Sequence, residues 1–323
     1  MANYYYYITW WNLENLFDSE NAPRTDKLRR VLKKELEGWS DEILEKKIKQ
    51  LVRMLRTING SNGPDILGVC EVENENVLEK FRDSLQQTLD REYKIIHAET
   101  QDERGIDVAF LYDKDKFTVD SQKVFFHVIV KRYATRDIVQ ANFRSKISNT
   151  EFVLVGNHWP SRSGGQLESE PYRMMAGETL AYFNQRIQDV HGQAIPILVM
   201  GDFNDEPFNR SITEYAKSTV SADRVLKARS VPWLYNLMWE VTGARTGTFY
   251  YFDTFNVLDQ YMVSRGMLIE NAKLKVQQGS LRIEVFPEMS KNGIPRKFSR
   301  PAEALDQDGY SDHFPISLVL VDS

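Results

Sequence analysis

The chain has 323 residues, 42% of them hydrophobic, and a formal net charge of −5. A chain of this length and composition can bury a large core, which excludes global disorder. The acidic charge excludes a protein whose overall field attracts polyanions, so any contact with nucleic acid has to be local. With Cys70 as its one cysteine, the chain also forms no internal disulfide.

No apolar run approaches the length of a membrane-spanning helix. The longest, residues 195–200 and 316–321, are far shorter than the roughly 18 residues that a span requires. The first residues lack the basic stretch, apolar stretch and cleavage site of a secretory leader. We therefore expect a soluble protein without a membrane span, either cytoplasmic or secreted with its leader absent from the given sequence.

Short apolar runs of strand length recur from one end of the chain to the other. Such runs are typical of strands that are buried on both faces. In chain order they cover residues 6–11, 66–70, 108–112, 152–155, 195–200, 258–263 and 316–321.

Helical patterns lie between several of these runs. The clearest covers residues 40–58, where Ser40 is placed to cap the first turn, apolar side chains recur at helical spacing, and an Asn-Gly pair ends the pattern. Two further helices are predicted over residues 75–89 and about 172–188. Strands and helices thus alternate along the chain.

The alternation continues without a linker, a repeat or a low-complexity tract, which predicts one α/β domain over residues 1–323. Two stretches are less regular. Residues 18–37 are highly charged and partly helical in pattern, and residues 287–309 are rich in Lys, Arg, Asp and Pro. Both are predicted to be surface loops.

Polar side chains follow or begin several of the predicted strands. Strand ends in α/β folds are where functional sites assemble. Each residue alone also has a structural explanation, such as helix capping, turn formation or a satisfied buried histidine. Together, oxygen groups suit Mg²⁺, Mn²⁺ or Ca²⁺, and imidazoles suit proton transfer. The candidates are Asn12, Glu71, His158, Asp202, Asn204, Asp259, Asp312 and His313.

Seven short segments follow one another in a fixed order, and six of them carry these candidates. They are Trp-Asn12-Leu-Glu-Asn, Val-Cys-Glu71-Val-Glu-Asn, Arg-Gly-Ile-Asp107-Val-Ala, Asn-His158-Trp-Pro-Ser-Arg162, Gly-Asp202-Phe-Asn204-Asp-Glu-Pro, Leu-Asp259-Gln and Ser-Asp312-His313. The combined pattern resembles the endonuclease/exonuclease/phosphatase superfamily, most closely a bacterial branch that begins with Asn-x-Glu-Asn-Leu-Phe. The resemblance implies a four-layer sandwich, with two mixed β-sheets face to face and helices on the outer faces.

The resemblance also implies cleavage of phosphate esters with a divalent metal, Mg²⁺ or Mn²⁺, with Ca²⁺ as an alternative. Glu71 is then the principal metal ligand, with Asn12 beside it and Asp312 close to the same ion. Asp202 and Asn204 orient or deprotonate the attacking water, or hold a second metal.

The two histidines receive different roles from the same resemblance. Asp259 binds His313 and fixes its tautomer, while His158 binds the phosphate from the other side. Asp107 lies in the strand where deoxyribonuclease-like members place a carboxylate that pairs with the first histidine. Because a shift of one residue in a strand reverses the face, Asp107 is alternatively an edge-strand charge.

Two arginines are placed to contact substrate. Arg136 precedes a strand where an arginine often contacts the substrate phosphate in the superfamily, and Arg162 follows the His-Trp-Pro-Ser motif. The alternative for each is a surface ion pair that contributes little to stability.

These observations predict a phosphodiesterase in which water attacks phosphorus in line, with a nuclease as the first expectation. The acidic net charge weakens the nuclease interpretation, because duplex binding usually needs several Lys or Arg contacts to phosphates. The alternatives are a phosphatase or phosphodiesterase for a small or lipid-linked phosphate, a binding module without catalysis, and a glycosidase that would leave both histidines unused. The expected partner is a phosphate ester, with nucleic acid among the candidates, and the expected state is a monomer.

Overall fold

Two mixed β-sheets form the centre of the molecule in a computed structural model that describes residues 3–130, 135–243 and 246–323. In chain order the strands are β1 (Tyr4–Leu16), β2 (Ile66–Val72), β3 (Tyr93–Ile96), β4 (Asp107–Asp113), β5 (Phe117–His127), β6 (Ile138–Ser145), β7 (Glu151–His158), β8 (Ile197–Asp202), β9 (Ser218–Thr219), β10 (Leu234–Asn236), β11 (Phe249–Tyr251), β12 (Thr254–Asn256), β13 (Asp259–Val263), β14 (Leu274–Val276), β15 (Arg282–Ile283), β16 (Ser290–Lys291), β17 (Ile294–Pro295) and β18 (Ile316–Asp322).

Each large sheet mixes parallel and antiparallel pairs. The first sheet has the order β14-β18-β1-β2-β4-β3, with β15 also paired to β18, and the second has the order β5-β6-β7-β8-β13-β10-β9. At the centre of the first sheet β1 and β2 are parallel, and at the centre of the second sheet β7 and β8 are parallel. Each of these pairs lies between antiparallel neighbours. Two hairpins, β11-β12 and β16-β17, stand outside the sheets.

The helices of the described residues are α1 (Asp26–Leu36), α2 (Asp41–Thr57), α3 (Glu75–Leu89), α4 (Gln166–His191) and α5 (Ala222–Lys227). The predicted helices over 40–58 and 75–89 are confirmed, and the side chain of Ser40 caps α2 by accepting from the backbone N–H of Ile43. The third helix begins six residues before the predicted start at 172, because Pro171 lies within its second turn without ending it. Helix α1 occupies part of the charged stretch 18–37.

Three apolar clusters define the layers. Between the sheets, Trp10 and Phe110 of the first sheet meet Met200 of the second. Helices α2 and α3 cover the outer face of the first sheet, and α4 covers the outer face of the second. Each fully buried apolar side chain contributes roughly 1.5–3 kcal/mol relative to exposure, which holds the layers together. The predicted four-layer sandwich is therefore confirmed.

Strand register determines which polar residues become neighbours. In the second sheet His158 is opposite Asp202, and Asp202 is opposite Asp259. In the first sheet Asn12 is opposite Cys70, after which the register shifts. The polar ends of these central strands consequently lie side by side.

The stretch 287–309 is only partly a surface loop. Hairpin β16-β17 lies within it, but Met289 and Phe298 are fully buried in the cluster under α2. The backbone N–H groups of Phe298 and Ser299 donate to the carboxylate of Glu14 at 2.8 and 3.1 Å. The predicted exposure is therefore wrong for this part, since apolar and backbone contacts fix it against β1. Among the described residues, no helix is both long and apolar enough to cross a membrane.

Candidate active site

The second sheet supplies three site residues through regular strand pairing. His158 and Asp202 end β7 and β8, and Asp259 begins β13. Side chains alternate along a strand, so these residues continue the inward-facing series that includes Leu154 and Met200. The Nε2 atom of His158 lies 3.7 Å from Oδ2 of Asp202. Three titratable groups thus meet between the sheets at one end.

His313 forms the strongest pair of the site. Its Nδ1 lies 2.6 Å from Oδ2 of Asp259, and its Nε2 lies 3.9 Å from Oδ2 of Asp202. The other Asp259 oxygen accepts from the indole N–H of Trp10 at 3.0 Å. Burial alone lowers the pKa of His313, but the carboxylates of Asp259, Asp202 and Asp312 raise it well above 6.5. The geometry therefore favours a protonated imidazole whose Nε2–H faces Asp202.

Glu71 reaches the site through an irregular backbone. Its φ is 63°, and the register of β2 against β4 shifts at this position. In a regular strand Glu71 would share the outer face with Leu67 and Val69, which pack under the helices. A bulge redirects a side chain. Oε1 of Glu71 instead lies 3.6 Å from Nε2 of His158, and Oε2 accepts from the backbone N–H of Asn15 at 2.8 Å.

Asn12 connects the two sheets. Its Nδ2 donates to Oδ2 of Asp202 at 3.1 Å, and its Oδ1 accepts from the backbone N–H of Glu14 at 2.9 Å. Asp312 is half-buried. Burial raises the pKa of its carboxyl, and the negative charge of Glu71 raises it further, although the positive charge of His313 acts in the opposite direction. The three predicted metal ligands therefore gather around the end of β1.

The site concentrates negative charge in a buried volume. Burial raises the pKa of Asp202 to about 6, and burial together with Asp312 raises the pKa of Glu14 to about 8. Carboxylates crowded in this way are stabilised by a cation. The oxygen donors of Glu71, Asn12 and Asp312 are those that a hard divalent ion prefers, so the residues fit Mg²⁺, Mn²⁺ or Ca²⁺.

Within the described part of the chain, the ligand atoms of two other groups lie within 4.8 Å of one another: Cys70 with His158 and Asp202, and Asp202 with Asp259 and His313. The first contains a sulfur atom. Burial raises the pKa of the Cys70 thiol well above 9, and nearby carboxylates raise it further. Since a metal binds the thiolate, this environment does not favour a zinc–sulfur site.

Asn204 lies in the loop after β8, and Arg162, which follows β7, binds this loop. Asn204 has a left-handed backbone (φ 51°), and its N–H donates to Oδ1 of Asp202 at 2.9 Å. Nε of Arg162 donates to the carbonyl of Asn204 at 2.7 Å, and its guanidinium lies 3.3 Å from Asp205. Arg162 therefore supports this loop, and its contact with a substrate phosphate stays a prediction.

Arg136 is buried near His158. Its guanidinium donates to Asp102 at 3.2 Å and to the carbonyl of Trp159 at 3.0 Å. Burial lowers the pKa of His158 well below 6.5, and the charges of Arg136 and Arg104 lower it further. His158 is consequently neutral, and the alternative of a surface ion pair for Arg136 is wrong because its side chain is only 6% exposed.

The predicted pairing of Asp107 with the first histidine, His158, is wrong. The carboxylate of Asp107 accepts from the hydroxyl of Thr100 at 2.6 Å and lies 3.2 Å from Nε2 of His97. Nδ1 of His158 has no hydrogen-bond partner among the residues that the structure describes. Strand alternation explains the difference, because Asp107 shares the outer face of β4 with Ala109. None of these contacts of Asp107 supports a catalytic role.

Several residues of the site were not among the sequence candidates: Trp10, Glu14, Lys47, Arg104 and Phe249. Lys47 is fully buried, donates to the carbonyl of Glu14, and has a pKa lowered by burial. Its position in the apolar stripe of α2 was an available signal, because a lysine there has to find a buried partner. The ring of Phe249 lies 4.7 Å from that of His313, and no sequence signal indicated this contact.

Comparison with known proteins agrees with this architecture. A model described as the Endonuclease/Exonuclease/phosphatase family matches residues 7–322. The chain belongs to this family. The narrower bacterial branch stays a prediction, and among proteins of curated function none matches the sequence.

Solved structures of similar fold cover the whole chain. An endonuclease/exonuclease/phosphatase family protein from Bacteroides thetaiotaomicron is 16% identical with a TM-score of 0.58, covering 100% of both chains. The human Nocturnin catalytic domain with bound sulfate is 16% identical with a TM-score of 0.58, covering 99% of this chain and 94% of that one. A mannosyl-6-phosphatase from Bacteroides thetaiotaomicron is 16% identical with a TM-score of 0.56, covering 98% and 99%. At these identities the comparison shows the fold.

Proposed function

We propose that the protein is a divalent-metal-dependent phosphoesterase that hydrolyses phosphodiesters by in-line attack of water, with nucleic acid as the first substrate class to test. Family membership supports the general reaction, because the family description covers nucleases and phosphatases. The observation that carries the proposal is the 2.6 Å pair of Asp259 and His313, whose Nε2 faces Asp202. An acid and a base in one buried site are what ester hydrolysis needs.

Glu71 is the principal ligand for the divalent ion, with Asn12 and Asp312 beside it. When bound, such an ion supplies neutralisation of the charge that develops on the phosphoryl and leaving oxygens. The oxygen atoms of these three side chains, which a hard divalent ion prefers, support that assignment. Asn12 has a second function, since its Nδ2 also holds one oxygen of Asp202.

Asp202 accepts a proton from the attacking water. Its pKa of about 6 leaves it ionised near neutral pH, yet basic enough to take a proton. The backbone N–H of Asn204 and the side chain of Asn12 hold its two oxygens, which fixes the direction of the free lone pairs. The Asn204 side chain donates to the carbonyl of Trp159, so the loop is also fixed.

The two histidines bind the phosphate in different protonation states. His313 donates a hydrogen bond from protonated Nε2 to the phosphoryl group, and Asp259 stabilises the imidazolium. His158 is neutral and contributes a hydrogen bond without adding charge. The phosphate therefore lies between one cationic and one neutral imidazole.

A small or lipid-linked phosphate is the second candidate substrate. The net charge of −5 favours it, since a duplex needs several cationic contacts. One structural neighbour is described as a mannosyl-6-phosphatase. A binding module without catalysis is less well supported, because the Asp259–His313 pair lies beside a second carboxylate, that of Asp202.

Turnover of a substrate panel tests the proposal. The panel contains bis-p-nitrophenyl phosphate, single- and double-stranded DNA, RNA, sugar phosphates, inositol phosphates and phospholipid, each with Mg²⁺, Mn²⁺ or Ca²⁺. We expect metal-dependent cleavage of diesters that chelation abolishes and that His313→Ala lowers by about 10²–10⁴-fold. Hydrolysis of monoesters alone would support the second candidate, and full activity in excess chelator would contradict the metal requirement.

A further inference from the structure

A row of aromatic rings leads from the site to the surface. The ring centroids of His313 and Phe249 are 4.7 Å apart, those of Phe249 and Tyr251 are 6.2 Å apart with their planes at 22°, and those of Tyr251 and Phe252 are 4.4 Å apart. Tyr251 is 59% exposed and Phe252 is 83% exposed. We call Phe249, Tyr251 and Phe252 the aromatic row.

The base of the hairpin that carries the aromatic row is bound to the site. The hydroxyl of Thr248 accepts from the backbone N–H of Asp259 at 3.1 Å, and the Thr248 carbonyl accepts from the N–H of Phe314 at 2.8 Å. On the other strand, the Asn256 side chain accepts from Arg162 at 3.2 Å. The hairpin is therefore held at a fixed distance from the catalytic groups.

The stability of the hairpin does not require the exposed rings of Tyr251 and Phe252. On the opposite face of the hairpin the rings of Tyr250 and Phe255 lie 4.9 Å apart, and Phe255 packs against the core. At the tip, Phe252 and Asp253 both have positive φ, 47° and 57°. A two-residue turn of this type favours Asn and Gly, so a phenylalanine there is strained and unburied. This outlier points to a binding role for the ring.

The chemistry of the hairpin indicates which part of a substrate it binds. Its sequence, residues 249–256, contains one charged residue, Asp253, and no cation. A phosphate would be repelled there, whereas the face of an uncharged planar ring would be attracted. Because the row begins at the imidazole of His313, the planar ring has to belong to the group next to the scissile phosphate.

We propose that the aromatic row stacks on the nucleobase next to the scissile phosphate in a single-stranded nucleic acid. The inference rests on the proposed function and specifies its substrate class. Stacking on aromatic side chains is the usual way to bind unpaired bases, and it does not require a basic surface. It therefore reconciles the net charge of −5 with a nucleic-acid substrate. Paired bases in a duplex do not offer their faces.

Fluorescence anisotropy tests the stacking. The probes are a labelled oligothymidylate of about ten nucleotides, an abasic strand of equal length, and the thymidylate annealed to its complement, all in chelator so that the strands stay intact. Wild type is expected to bind the thymidylate more tightly than the other two. Tyr251→Ala and Phe252→Ala should each weaken this binding by about 5- to 100-fold, since stacking of one base contributes that factor.

The controls are matched for exposure and chemistry. Tyr182→Ala on α4 removes a ring that is 58% exposed, close to the 59% of Tyr251, and should leave binding unchanged. Tyr251→Phe keeps the ring and should also bind normally. Equal binding of the thymidylate and abasic strands by wild type, or unchanged binding by both alanine variants, would overturn the proposal.

The stacking proposal and the proposed phosphoesterase function can be contradicted separately. If bis-p-nitrophenyl phosphate is hydrolysed but the bases do not affect binding, the aromatic row proposal alone is wrong. If no phosphodiester is hydrolysed while the bases still strengthen binding in a Tyr251- and Phe252-dependent manner, the catalytic proposal alone is wrong.

Discussion

The second sheet brings His158, Asp202 and Asp259 together by regular pairing of adjacent strands, whereas the first sheet delivers Glu71 through a bulge with a left-handed backbone. The regular half supplies Asp259, whose carboxylate holds His313, a residue that precedes β18, at 2.6 Å. The irregular half presents oxygen atoms that fit a metal. This difference suggests that proton transfer depends on the second sheet and metal binding on the first.

The largest expected effect concerns the regular half. Asp259→Asn should lower kcat by about 10⁴-fold, because the neutral amide neither fixes the tautomer of His313 nor stabilises its protonated form. Affinity for Mg²⁺ or Mn²⁺, measured by isothermal titration calorimetry, should remain close to wild type. Restoration of the rate by added metal would show that the two halves are not separate in function.

The next largest expected effect is on metal binding by Glu71, in the first sheet. Glu71→Gln should weaken Mg²⁺ or Mn²⁺ binding by about 100-fold or more, since even residues outside the ligand sphere contribute 10- to 100-fold. Raised metal concentration should then partly restore the rate, in contrast to Asp259→Asn. If calorimetry gives normal metal affinity for Glu71→Gln, its assignment as principal ligand is wrong.

A smaller effect tests the contact that joins the halves. Trp10→Phe removes the indole N–H that donates to Asp259 at 3.0 Å and should lower kcat by about 10-fold or somewhat more, as loss of a hydrogen bond to a charged group does. Trp39→Phe is a matched control, because it removes an equally buried indole that donates to the carbonyl of Phe17. An equal loss of rate in both variants would indicate general damage to the core.

The smallest effect is the dependence of rate on pH. Asp202 is active as the carboxylate and has a pKa raised to about 6 by burial, so kcat/KM should fall by about tenfold per pH unit below that value. His313 is active when protonated and its pKa lies well above 6.5, so the upper limb should begin above neutrality. A profile that is flat between about pH 5 and 8 would contradict the assignment of Asp202, and a kcat/KM that keeps rising above neutrality would contradict that of His313.

The aromatic hairpin provides a further contrast with these buried halves. Neither Tyr251 nor Phe252 was a sequence candidate, because a short run of aromatic residues reads equally well as a buried strand. Only the pairing of β11 with β12 and the contact of Phe249 with His313 show that one face of the run is exposed beside the site.

The sequence by itself determined the features that depend on local pattern. Caps and apolar periodicity predicted α2 and α3, and polar residues at strand ends predicted that His158, Asp202 and Asp259 belong to one site. These features are readable because a helix or strand repeats with a fixed period and because parallel strands end at a common edge.

Only the tertiary structure decided which face Glu71 and Asp107 occupy. Glu71 lies near the end of β2 and Asp107 begins the neighbouring strand β4. The bulge in β2 turns Glu71 inward, whereas Asp107 stays on the outer face with His97 and Thr100. The bulge depends on how β2 pairs with β1 and β4, whose partner residues lie 35 to 58 sequence positions away, from Val72–Asp107 (107 − 72) to Asn12–Cys70 (70 − 12). The periodicity of the sequence cannot predict this pairing, because residues on other strands determine where the register shifts by one residue.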